Sequence, residues 1–123
     1  MDARDFMLDD TILADGVPSK VTYLDRWGVI HYQRIDNSKD LDGGEIAGLK
    51  VSDEVLDHVG LKYVEEEHVW MNEDESMFLW VEAPGIAHLR LYKEETSVEK
   101  PISYLHELQH ECKNNGLKAI VYK

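Results

Sequence analysis

An α+β fold is the class this sequence predicts: a mainly antiparallel sheet of five to seven short strands, a C-terminal helix packed on one face and a second short helix. Three observations predict it. Short runs of β-branched and aromatic residues alternate with polar ones over most of the chain, and turn residues separate them. Near the end the period changes, and Ile102, Leu105, Leu108 and Cys112 form a stripe at helical spacing. Strands come first and the long helix late, which suits segregated layers rather than alternating βα units.

In chain order, residues 1–19 read as an N-terminal arm packed across the domain, or as a short strand or helical turn, with Phe6, Met7, Ile12 and Leu13 scattered among acids and Gly16 and Pro18 punctuating its end. Residues 20–123 read as one α+β domain. "KVTYLDRWGVIHYQRI", Lys20 to Ile35, is the clearest hairpin, with Gly28 closing a three-residue loop that requires a positive φ. Asp36 to Gly48 is a polar loop rich in turn residues. Ser52 caps a short helix with Asp53 and Glu54 in its first turn, Val55, Leu56 and Val59 on its buried side and Gly60 at its end. Residues 61–64 and 69–71 are short strands. "MFLWV", Met77 to Val81, is apolar on both faces, so it is expected to be a central strand with Trp80 in the core. Trp27 and Trp70 read as hairpin or core supports. Ala83, Pro84 and Gly85 break the chain, and "HLRLYK" alternates, with Leu89 and Leu91 opposite His88, Arg90 and Tyr92. Pro101 fits the first position of the last helix, Asn114, Asn115 and Gly116 end it, and residues 119–122 are expected to be a closing strand.

Composition narrows the function classes. The chain has 123 residues, 43% hydrophobic and 31% charged, which suits a single globular domain. Its net charge is −12, and the first 82 residues hold 7 basic against 20 acidic side chains. Such a field repels phosphate backbones and anionic lipid, so direct nucleic-acid and membrane binding are disfavoured and a basic protein surface is favoured. One cysteine, Cys112, precludes an internal disulfide and, on the apolar stripe, reads as a small buried residue rather than a nucleophile. The acidic N-terminus lacks a signal-peptide pattern, and a cytoplasmic location is expected.

One motif carries chemistry by its spelling. His106-Glu107-Leu108-Gln109-His110 matches H-E-x-x-H, whose spacing sets two imidazoles on one helix face for zinc and a glutamate beside them as base. No histidine follows His110 to complete a ligand set, so both rings are expected on a solvated face. The segment "DNSKDLDGGE" offers Asp36, Asn37, Asp40 and Asp42 as hard oxygens but lacks the alternation of a calcium loop. The leading functional expectation is a non-enzymatic adaptor or inhibitor that engages a basic partner, its acids standing in for those of a nucleic acid. Its expected partner-binding residues are Glu65, Glu66, Glu67, Glu73, Asp74 and Glu75, grouped at turns. The alternative is a minimal zinc-dependent hydrolase using His106, Glu107 and His110, with zinc as the cofactor.

Overall fold

A computed structural model describes residues 6–35, 39–93 and 96–123, and the fold is α+β. Among the described residues, ten strands divide equally between two antiparallel sheets, and two helices accompany them. In the first sheet are β1 (Thr11–Ala14), β2 (Val17–Leu24), β3 (Ile30–Arg34), β4 (Asp40–Asp42) and β5 (Ile46–Gly48), in the spatial order β4-β3-β2-β1-β5. The second contains β6 (Lys62–Val64), β7 (Val69–Met71), β8 (Met77–Ala83), β9 (Ile86–Lys93) and β10 (Thr96–Ile102), a meander in chain order. The short helix α1 spans Asp53–Asp57 and the C-terminal helix α2 spans Leu105–Asn114.

Turn chemistry sets the registers. Asp15 and Gly16 both take positive φ, 51° and 79°, which gives the right-twisted two-residue turn that joins β1 to β2. In the next hairpin Asp25 Oδ1 accepts from the Trp27 and Val29 N–H groups, and Gly28 sits at φ 81° as its loop type requires. The Val29 N–H, His31 and the Trp27 N–H hold Asp25 below the usual carboxylate range.

Several expectations shift. Residues 11–14, placed in an arm or a short strand, pair with both β2 and β5. The loop expected over 36–48 contains β4 and β5, because β3 and β1 offer open edges to which those residues bond. Asp36 and Asn37 of the calcium reading lie outside the described residues. Pro101 does not start a helix. It sits in β10, an edge strand, where a missing N–H leaves no interior ladder bond broken. The segment 119–122 forms no ladder; the Gln109 amide on Ile120 O and the stacking of Tyr122 on His58 hold it, and the following Lys123 is bonded to His58 through both its N–H and its carbonyl.

Two cores result. The larger joins Leu56 of α1, Met77, Leu79, Leu89 and Leu91 of the second sheet, and Leu105, Leu108 and Cys112 of α2. The smaller joins Phe6, Ile12, Ala14, Val21, Ile30 and Tyr32 under the first sheet. β8 is the middle strand of its sheet, as its apolar run predicts, but Trp80 is not a core residue. Pleating gives the core side to Met77 and Leu79, so Phe78 and Trp80 face outward. The buried indole is that of Trp70, whose Nε1–H donates to Asp53 Oδ1 at 2.9 Å. Cys112 is buried with its Sγ 3.6 Å from Met77 Sδ, and burial pushes the thiol pKa up to about 11, which keeps it inert.

Leu79 is fully buried in the middle strand, so Leu79→Ala removes transfer energy and leaves a cavity. The expected loss is about 3 kcal/mol, read as a shift of the urea midpoint at unchanged slope.

Candidate functional site

The motif on α2 is occupied by structure. Glu107 Oε1 accepts from the backbone N–H of Ser103 at 3.0 Å and of Tyr104 at 2.8 Å, so its carboxylate turns back to close the helix N-terminus. The two imidazoles do not lie on a solvated face. His106 is only 3% exposed, edge-on to Phe6 with ring centroids 4.8 Å apart and stacked beside Tyr104. His110 places Nε2 2.6 Å from Oδ2 of Asp10, which also accepts the Met7 N–H at 2.7 Å. The N-terminal segment covers this helix face, and the helical period alone could not reveal that cover. His106 and His110 do lie together, with ring centroids 5.6 Å apart. Among the described residues, no group of three or more His, Cys, Asp or Glu side chains is placed to hold a metal ion.

Gln109, which the sequence reading passed over, ties the same face. Its Oε1 accepts the Thr11 N–H at 2.7 Å, and its amide nitrogen donates to Thr11 Oγ1 and to Ile120 O. Asp10 is 3% exposed, and burial raises its carboxyl above the usual range against the downward pull of the Met7 N–H and His110.

The six acidic residues expected at turns are all exposed, in two groups. Glu65, Glu66 and Glu67 lie in the turn from β6 to β7, and Glu73, Asp74 and Glu75 in the turn from β7 to β8. The two groups therefore stand at opposite ends of a three-residue strand, roughly 10 Å of chain rise apart. They are not equivalent. Asp74 Oδ1 accepts from the Ser76 hydroxyl at 2.6 Å and the Ser76 N–H at 3.1 Å, which holds it below the usual carboxylate range and in its own turn. Glu73 meets Lys118 at 3.9 Å, both well exposed, a contact that contributes little.

Beside β7, the next two strands present an aromatic face that their separate sequence patterns do not reveal. The outer face of the second sheet carries Phe78 and Trp80 from β8 beside His88, Arg90 and Tyr92 from β9. Trp80 stacks on His88 with centroids 5.2 Å apart, the Arg90 guanidinium lies 5.8 Å from the Trp80 ring, and Phe78 meets Tyr92 edge-on at 5.4 Å. Arg90 in turn bonds Glu99 of the neighbouring β10 through Nε at 2.8 Å. The signal was present: with a tight Pro84–Gly85 turn, Trp80 falls opposite His88, on the face already given to Arg90 and Tyr92. No family model matches this chain, nor does any curated protein or solved structure.

Two outcomes test these assignments. Glu107→Ala, which leaves two N–H groups at the helix start without their acceptor, is expected to cost about 1 kcal/mol in urea unfolding, and Glu107→Gln less. For Asp10, the folded chain holds its proton to higher pH than the unfolded chain does, so this group's contribution to stability falls as pH rises from the ordinary Asp value towards the raised one. Asp10→Asn removes the charge and keeps an acceptor for Met7. Its stability relative to the native chain is expected to increase with pH across that acid window, and a pH-independent difference would refute the assignment.

Proposed function

We propose that this chain is a non-enzymatic interaction protein, an adaptor or an inhibitor, that engages a basic surface on a partner protein. The acids it presents stand in for the phosphates that such a surface would otherwise bind. The observation that carries this reading is the outer face of the second sheet. Phe78, Trp80 and Tyr92 are grouped there, and Glu65, Glu66, Glu67, Glu73 and Glu75 stand at the turns on either end of β7. Aromatic rings with acidic turns beside them, and His88 and Arg90 among them, combine the apolar contacts that give an interface its affinity with charges that give it attraction and register. The net charge of −12 supports a cationic partner over a nucleic acid or an anionic bilayer. None of the helices among the described residues is long and apolar enough to cross a membrane. A cytoplasmic setting suits the single reduced cysteine.

The test begins with cross-linking in the source cells, followed by purification of the recovered partner and direct affinity measurement. Affinity is expected to weaken at least tenfold between about 50 mM and about 500 mM salt. Reversing Glu65, Glu66 and Glu67 to lysine is expected to slow association, and Trp80→Ala to hasten dissociation. A tight complex indifferent to salt and to both variants would remove the reading.

A further inference from the structure

The first sheet ends on β5, and among the described residues no strand pairs with its outer edge. A groove of about 920 Å³ opens along that edge. It takes in Ile46 and Gly48, which share the side of Ala14 and Ile12, and also Ala47 and Leu13, which belong to the other side. Consecutive residues 46–50 border the groove, so it runs beside the strand, and Leu13 of β1 extends it over the sheet face that carries Ala47. Leu13, Val81, Pro84 and Tyr104 give it an apolar lining. Its charged lining residues are Asp53, Glu54 and Glu82, against Lys50 alone.

We propose that this groove is a docking site for an extended, basic segment of a partner protein, which adds to β5 as a further strand. The inference rests on the reading that this chain engages basic partners, and it names a second place and a shape for that contact. An open strand edge offers backbone donors and acceptors to a chain in extended conformation. The apolar lining receives alternate side chains of such a segment, and the acids select lysine or arginine at the positions between them. A second copy of this chain is a poor occupant, since the acidic lining would face a molecule of net charge −12.

The experiment is a titration of isotope-labelled, full-length protein with acetyl-Lys-Val-Arg-Val-Lys-Val-Arg-amide, followed by amide chemical shifts. Two control peptides carry proline at the central valine or glutamate at every basic position. The expected result is movement of residues 46–50 and 81–85 with the basic peptide and with neither control. The variant Glu54→Lys, at an exposed side chain of α1, is expected to weaken binding several-fold with its spectrum otherwise native. Equal binding of the proline peptide overturns strand addition. Shifts confined to the acidic turns and the Trp80 face overturn the groove while leaving the broader reading intact. Movement of residues 46–50 on dilution without peptide assigns the groove to a second copy and overturns the proposal. No shift with any peptide overturns it as well, and the salt and variant measurements on the natural partner then decide the broader reading separately.

Discussion

Helix α2 works on two sides at once, and the rest of the molecule is arranged around that fact. One side sends Leu105, Leu108 and Cys112 into the core it shares with the second sheet. The other sends His106, Gln109 and His110 against the first sheet and the segment preceding it. The side-chain amide of Gln109 is central, since it satisfies the Thr11 backbone, the Thr11 hydroxyl and the Ile120 carbonyl together. Polar groups buried at such a seam must each find a partner, because one left unmade costs more than one made contributes. The seam therefore specifies a single relative placement of the two sheets, which apolar contact alone would specify less sharply.

The acidic residues divide along the same lines. Some are spent on local architecture: Asp25 and Asp74 inside their turns, Asp53 on the Trp70 indole, Glu107 at the start of α2 and Asp10 at the seam. Others, such as Glu65, Glu66 and Glu67, face water. Net charge treats these two populations alike, and both add to the field around the molecule, although the second has more carboxylate oxygens left for a partner's cation. The same division accounts for the H-E-x-x-H spelling, since a glutamate three residues after the N-cap is a common helix-start device as well as a catalytic base.

What the sequence makes legible is local. The Ser52 cap with its Val55, Leu56 and Val59 face, the Gly28 loop and the central position of β8 all follow from neighbours in sequence. The α+β class follows from the order of such pieces. What was hidden depends on pairing at a distance. Trp80 looked like core because its strand is apolar on both faces, and only the register with β9 tells which face the helices cover. The strands at 40–42 and 46–48 have too little periodicity to announce themselves and exist because β3 and β1 leave edges to extend. The two histidines fit a wet surface until Phe6 and Asp10, a hundred positions earlier, are laid over them.

That long reach has a kinetic meaning. The bonds from Thr11 to Gln109 and from Asp10 to His110 join residues 98 and 100 positions apart. A loop of that size must close before either bond forms, and closing it costs chain entropy that the hairpins of the two sheets do not incur. During synthesis the first sheet emerges long before its clasp does. Until α2 has emerged as well, Phe6 and the underside of that sheet lack their lasting cover, and the nascent chain passes through an interval in which chaperone binding and aggregation compete.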